Sequence, residues 1–322
     1  MKRRAITFLI AAALPAFGAI QGTVVNSTTG KPEPGVPVSL LHPGENGMQV
    51  LGSAKSGPDG TFTIDKDVPS PPALLQAVYK GSTYNLIIPP GSPSTGLKLN
   101  VYETTTGAAA NKLAMDMVIL EPGPDALRVS ERFELENPTE TTFEDPVKGS
   151  LQFYLPEKAD GGTSVTVQAP DGMPIQRNAE KLGRSREYDV KYPLKPGKTS
   201  FDVRYNLPAT DTFSSRRIRT DFPTRLVTPS SVTLSGDGIS SLGQEPQTQA
   251  HIYEVAKSAY EVKITGTGAF RQDDNGGAQE DTGQPKVEEI NARVYTRLYW
   301  VLGLTLGILG LGGALLYRRG EA

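Results

Sequence analysis

Four arginines, Arg216, Arg217, Arg219 and Arg225, stand close together in a chain whose formal charge is −2. Guanidinium forks at that density would grip an anion bidentately, whether an acidic glycan, a lipid head group or an acidic partner segment. The same run would equally serve as the charged rim of an edge strand, where like charges discourage sheet-to-sheet pairing. The only histidines, His42 and His251, lie far apart in the sequence, without a third ligand or a carboxylate motif beside either. Neither is expected to bind metal or to act as a general base, and no catalytic residue or cofactor is implied. Carboxylates cluster at Asp273, Asp274, Glu280 and Asp281 around Asn275-Gly276. A calcium loop needs oxygens at alternating positions closed by a glutamate at the twelfth, so this stretch reads as a solvated linker. Tyr188, Tyr192, Phe201 and Tyr205 could form a sugar-stacking platform, but their spacing within each pair is that of one buried strand face. Serine-hydrolase, zinc-peptidase and phosphate-loop signatures are absent.

Composition narrows the frame around these residues. Nucleic-acid binding would call for a basic excess or interleaved basic and aromatic residues, and the chain has neither. It contains no cysteine, so disulfides, thiolate nucleophiles and thiolate metal sites are excluded and the fold must rest on its hydrophobic core. The 34 glycines and 26 prolines are spread along the chain and punctuate short segments of alternating apolar residues. That pattern is all-β.

The two ends suggest export and anchoring. Lys2, Arg3 and Arg4 precede the apolar stretch Ala5 to Leu14, then Pro15 and the small-residue pattern Ala16-Phe17-Gly18. Residues 1–18 therefore read as a secretory signal, because the apolar stretch is too short for a span and Pro15 interrupts it. Its removal would take the formal charge from −2 to about −5. From Leu298 to Tyr317, 20 residues are apolar apart from Thr305. At about 1.5 Å per residue such a helix crosses a hydrocarbon core of about 30 Å. Tyr299, Trp300 and Tyr317 flank it, and Arg318-Arg319 would hold the tail, 318–322, in the cytoplasm. The expectation is a single-pass protein of a bacterial inner membrane with a periplasmic or extracellular body. Gly303, Gly307, Gly310 and Ala314 recur along one face of the span, a candidate packing surface for a second copy or a partner helix. Glycine is also simply common in membrane helices.

Between the ends, two β-modules are expected. The first, 19–103, alternates through Thr23 to Val25, Val36 to Leu40, Val50 to Ala54, Phe62 and Ile64, Leu75 to Tyr79, Tyr84 to Ile88 and Leu97 to Val101. Its connections carry Gly and Pro at turn positions, as in Thr29-Gly30-Lys31-Pro32 and Pro89-Pro90-Gly91. The run from Gly22 to Leu40, followed by Ser56-Gly57-Pro58-Asp59-Gly60-Thr61-Phe62, resembles the carboxypeptidase regulatory-like domain. The resemblance covers about a quarter of the chain and implies a transthyretin-like β-sandwich. Such modules are appended to exported enzymes, surface proteins and transporter plugs, so it implies binding of protein or carbohydrate and carries over no catalytic residue.

A second, larger sandwich is expected over 113–266. Leu113, Met115, Met117 and Ile119 alternate, then Leu127, Val129, Phe133 and Leu135. Further strands are expected at Leu151 to Leu155, Val165 to Val167, Tyr188 to Tyr192, Phe201 to Leu207, Ile252 to Val255 and Tyr260 to Ile264. Residues 267–286 are rich in Asp, Gly, Gln, Asn and Glu and read as a flexible stalk. Taken together, these features lead us to expect a non-enzymatic binding or scaffold protein. A glycan-binding module and an accessory subunit of an inner-membrane export or maturation complex are the alternatives. A hydrolase of unrecognised type in the second module is a third.

Overall fold

The computed structural model describes residues 19–44, 47–66, 72–159, 162–170, 172–183 and 186–270. The leader, the stalk beyond Phe270, the 298–317 span with Gly303, Gly307, Gly310 and Ala314, and the tail lie outside the described residues. Among the described residues no helix is long and apolar enough to cross a membrane. The chain they form is all-β, in several sheets.

The first module contributes β1 (Ile20–Asn26), β2 (Lys31–Pro32), β3 (Pro37–Gly44), β4 (Gly47–Lys55), β5 (Thr61–Ile64), β6 (Ala73–Tyr79), β7 (Ser82–Ile88) and β8 (Leu97–Val101). One sheet runs β2-β1-β5 with β8 parallel to β1, and the other runs β4-β3-β6-β7. Alternation puts Ile20, Val24, Phe62, Ile64, Leu99 and Val101 from the first sheet against Val38, Leu40, Leu75, Tyr84 and Ile88 from the second. The two layers enclose one apolar core. The Ser56 to Thr61 turn joins them through side chains. The Ser56 hydroxyl accepts from Val36 N at 2.9 Å and donates to Glu33 O at 2.8 Å, while Asp59 Oδ1 accepts from Thr61 N and Oγ1 at 3.1 and 2.7 Å. Gly60 ends this turn at φ 75°, and a Cβ there would stand 2.7 Å from Val24 O and 2.8 Å from Pro32 Cβ.

Between the modules lie β9 (Thr104–Thr105) and a single 3₁₀ turn, Ala108–Ala110. The second module then supplies β10 (Lys112–Pro122), β11 (Ala126–Asn137), β12 (Thr142–Phe143), β13 (Leu151–Tyr154), β14 (Ser164–Gln168), β15 (Ile175–Arg177), β16 (Glu180–Lys181), β17 (Glu187–Val190) and β18 (Gly197–Pro208). It closes with β19 (Thr212–Arg216), β20 (Thr224–Thr228), β21 (Thr233–Ser235), β22 (Ile239–Gln244), β23 (His251–Val255) and β24 (Ala259–Thr265).

Eight of these strands form one wide sheet in the order β15-β14-β18-β11-β10-β20-β23-β22. Only one of its faces is apolar: on β11 and β18 the buried set is Leu127, Val129, Phe133, Leu135, Phe201, Val203 and Leu207. The other face carries exposed ion pairs such as Lys198 with Glu134 at 2.8 Å, each worth at most about 1 kcal/mol. The apolar face is covered by two separate three-stranded sheets, β13-β17-β16 and β19-β24-β21, which share its core.

The modules are clamped together. β12 pairs in parallel with β9, Thr142 N donates to Glu103 O at 2.7 Å, and the Tyr84 and Thr142 hydroxyls bond at 2.8 Å. Asn137, fully buried, holds that loop from below: its amide donates to Thr141 O and Leu194 O at 2.6 and 2.9 Å, and its carbonyl accepts from Thr139. At the far end, Thr267 to Phe270 are not free stalk. Ser231 Oγ donates to Thr267 O at 2.8 Å, Gly268 N to Pro122 O at 2.9 Å and Phe270 N to Glu121 Oε1 at 2.7 Å, so the module extends past 266.

Gly60 and Gly30 share a left-handed backbone, at φ 75° and 71°, but a Cβ at Gly30 would meet nothing within 4 Å. Gly30→Ala should therefore cost about 1–2 kcal/mol of backbone strain, and Gly60→Ala about 2–4 kcal/mol because the clash is added. Urea midpoints of the two variants measure the difference; equal losses would refute the packing account of Gly60.

Candidate functional site

The wide sheet carries two acids on its apolar face. On β11 the inward positions are Leu127, Val129, Glu131, Phe133 and Leu135, so Glu131 occupies the middle of an apolar stripe. The neighbouring β10 corrects the sequence expectation. Register shifts between Leu113 and Met115, and this bulge reverses the phase of the strand beyond it. Asp116, Val118 and Leu120 are buried, while Met115, Met117 and Ile119, expected inside with Leu113, are only half-buried. Because Val118 pairs with Glu131 and Asp116 with Phe133, the two acids are diagonal neighbours, about 7–8 Å apart at the backbone.

Each acid has a hydroxyl partner. Tyr205 of β18 donates to Glu131 Oε1 at 2.5 Å, and the Thr224 hydroxyl of β20, directly opposite Asp116, donates to Asp116 Oδ2. The covering layer adds Tyr260 of β24, Ser215 of β19 and the Arg217 guanidinium. Together they enclose a cavity of about 20 Å³, room for a single water and too little for an organic substrate. It lies where the covering layer is split, between β13 and β19, the facing edge strands of its two sheets.

Burial sets the protonation of the pair. Removal from water pushes the Glu131 carboxyl up to about 8, only partly offset by the Tyr205 hydrogen bond, and the Asp116 charge raises it further. Burial likewise lifts Asp116 to about 6 against the lowering effect of Thr224 and Arg217. Burial thus favours the protonated carboxyl at both acids, more strongly at Glu131 than at Asp116. Burial also raises Tyr205 and Tyr260 well above the usual phenol range.

The arginines expected to act together are divided. Arg216 ends the edge strand β19, with its guanidinium 5.7 Å from the Tyr154 ring centre and 3.9 Å from Glu187 Oε1. Arg217 turns inward and donates to Phe222 O at 2.7 Å and Val255 O at 3.4 Å. Arg219 donates to Asn111 Oδ1 and O at 2.7 and 3.0 Å and pairs with Asp221 at 2.5 Å. These three rim the acid cavity, whereas Arg225 is exposed on β20, an inward neighbour of which, Thr224, reaches Asp116. Arg217 and Arg219 thus direct donors to backbone carbonyls and to Asp221 and Asn111, while Arg217 Nε is buried without a hydrogen-bond partner.

The remaining candidates stay apart. His42 has a buried Nδ1 without a partner, while His251 contacts Val232 O at 2.8 Å and Gln244 at 2.6 Å. Among the described residues no group of three metal-ligating side chains occurs. Phe201 and Tyr205 are buried; Tyr188 stacks on Phe153 and Tyr192 meets Phe201 edge-on. The acidic stretch 273–281 lies outside the described residues. The acid pair had escaped notice in the sequence, although Glu131 stood in phase with the apolar set around it.

A second feature is on the first module. Across the outer face of its β4-β3-β6-β7 sheet, Val50, Leu41, Leu74 and Ile87 stand side by side in one cross-strand row. Val50 is 61% and Ile87 52% exposed, and Met48 beside them is 39% exposed. The next row, Ser53, Ser39, Gln76 and Asn85, is polar, with one bond within each pair, Ser39 to Ser53 at 3.0 Å and Gln76 to Asn85 at 3.2 Å.

No family model matches the chain, and no curated protein matches it. Among solved structures, a point mutant of the M1 zinc metallopeptidase from Deinococcus radiodurans is similar over 49% of this chain and 43% of its own, at 12% identity and a TM-score of 0.26. The mutant bound to a Tyr-Ser-Ala substrate gives 13% identity over 49% and 44%, with a TM-score of 0.27. The enzyme without the substitution gives 11% over 49% and 43%, at 0.25. The chain spans less than half the length of these peptidases. A likeness of that extent assigns neither fold nor activity.

The acid pair sets a pH response whose sign follows from the raised values. Folded Glu131 binds its proton more tightly than the unfolded chain, so its stabilising effect is complete below about pH 4.5 and is lost as pH rises to about 8. Asp116 behaves likewise between 3.8 and about 6. From pH 6 to 8 Glu131 alone should cost about 1.4 kcal/mol per unit at first and half that slope at pH 8, about 2 kcal/mol in all. Glu131→Gln keeps an acceptor for Tyr205 and should flatten that segment of the curve. Guanidinium unfolding at pH 6, 7 and 8 reads this directly, and parallel curves would refute the assignment.

Proposed function

We propose that this chain is an exported, membrane-anchored binding or scaffold protein without catalytic activity, whose first module is a transthyretin-like sandwich and whose second is a larger sandwich. In this reading residues 1–18 are a cleaved leader, 298–317 cross the inner membrane once, and the body faces the periplasm or the exterior. The observation that carries it is the cross-strand row Val50, Leu41, Leu74, Ile87, buried at Leu41 and half-buried at Leu74 but exposed at both ends, with Met48 and Val78 also exposed, on a module that is clamped to the rest. Surface apolar residues are ordinary when scattered, but a contiguous row crossing a whole sheet marks a contact surface. The clamp through β9 and β12 supports the scaffold part, since a partner held on the first module would then be held at a fixed attitude to the second. The acid pair serves the fold in this reading, because its cavity admits a water and no more.

The test is affinity purification of the tagged full-length chain in mild detergent, with and without the double substitution Val50→Lys and Ile87→Lys. Both side chains are exposed, so the melting temperature should move by no more than about 2 °C. Any polypeptide recovered with the parent chain, an untagged second copy included, should fall at least about tenfold in the variant, since a desolvated lysine pair costs well over 1.4 kcal/mol. Identical recovery from both would refute the reading.

A further inference from the structure

We infer that the occupant of this apolar sheet face is a second copy of the chain, stacked on it about a two-fold axis. The inference rests on the binding reading above and names its partner. Three observations select this occupant over a partner of different chemistry.

The first is charge. Among the described residues the face bears one charged side chain, Lys55, at the corner opposite Pro37. A charged partner surface would lose its hydration here and gain no counter-charge, whereas an identical neutral face loses nothing of that kind. The second is the polar row. Ser39 bonds to Ser53 and Gln76 to Asn85 within the sheet, which engages one Gln76 donor and the Asn85 acceptor, so the remaining amide donors and the Gln76 carbonyl can pair with the same groups of an identical face.

The third is area. Four strands about 4.8 Å apart and four rows about 6.8 Å apart give a face of about 500 Å², about 1,000 Å² for the pair. That falls short of the 1,200–2,000 Å² or so typical of stable soluble complexes. It suffices when both copies are confined to one membrane, because tethering raises their effective concentration to about the millimolar range. A two-fold axis through this face brings like residue to like residue, the isologous geometry that closes after two copies.

The chain has no cysteine, so one introduced thiol reports alone. Gln76 points outward from β6, an inner strand of that sheet, and lies close to the two-fold axis in either stacking orientation. Full-length Gln76→Cys chains carrying two different tags would be co-reconstituted in liposomes and treated with a short bismaleimide. The expected product is a band of twice the mass bearing both tags, reduced at least about tenfold by Val50→Lys with Ile87→Lys. Leu242→Cys, on the exposed strand β22 of the other module, should give less than about a tenth of that product. Equal product from Leu242→Cys, or product unaffected by the lysines, would show random collision and overturn the inference. If the purified protein gives no crosslink but Gln76→Cys in cell membranes joins a different polypeptide in a lysine-sensitive way, the second copy is ruled out and the binding reading stands. Absence of any lysine-sensitive product in liposomes and in cell membranes would overturn both.

Discussion

The twelve-residue ladder between β11 and β18 is the constraint on which the second module depends. Every position from Ala126 opposite Pro208 to Asn137 opposite Gly197 is paired without a bulge. A slip of one residue would turn Leu127, Val129, Phe133 and Leu135 to water together, so the register cannot yield to any single side chain. Glu131 is buried because its neighbours are. The ladder also places Tyr205 one diagonal step from it, and the phenol supplies the one strong bond that makes the burial tolerable. The rest of the cluster is arranged around that enforced acid: Asp116 from the next strand, Thr224 from the one beyond, and Arg217 from the covering layer.

Much of the architecture was legible because it follows from period and turn chemistry. All seven strands expected in the first module form, and the Ser56 to Phe62 motif explains itself in the turn: a hydroxyl tying two sheets, an Asp closing on Thr61 and a glycine at positive φ. What escaped were features that alternation does not encode. The bulge after Leu113 leaves no mark in residue type, yet it decides which side of β10 faces inward. Strands β19 to β22 carry too few apolar residues to announce themselves: Phe213 and Leu234 are the sole buried large hydrophobics of β19 and β21, and β22 has none. The arginine run admitted both a ligand grip and a charged strand rim, because its spacing says nothing of the backbone carbonyls to which Arg217 and Arg219 donate.

The junction turns two β-modules into one body. Its bonds are few, but they are mostly backbone to backbone or fully enclosed, as at Asn137 and Tyr84, and such groups lose most when left unpaired. Lys195 adds to this by lying 5.4 Å from the Tyr84 ring centre, where burial lowers its ammonium below the usual lysine range. The separation of cores therefore does not imply separate motion. The two modules keep distinct apolar interiors and one shared seam.

The short strap at the end of the described chain has a mechanical meaning. Tension entering from beyond Phe270 meets first the three bonds at Phe270, Gly268 and Thr267, which it can open one at a time. It then reaches β24, the middle strand of its sheet, bonded antiparallel to β19 on one side and β21 on the other. A lengthwise pull on such a strand loads both ladders at once in shear. With no disulfide to limit extension, the strap acts as a slack that yields before the core is strained, and β24 as the stop behind it.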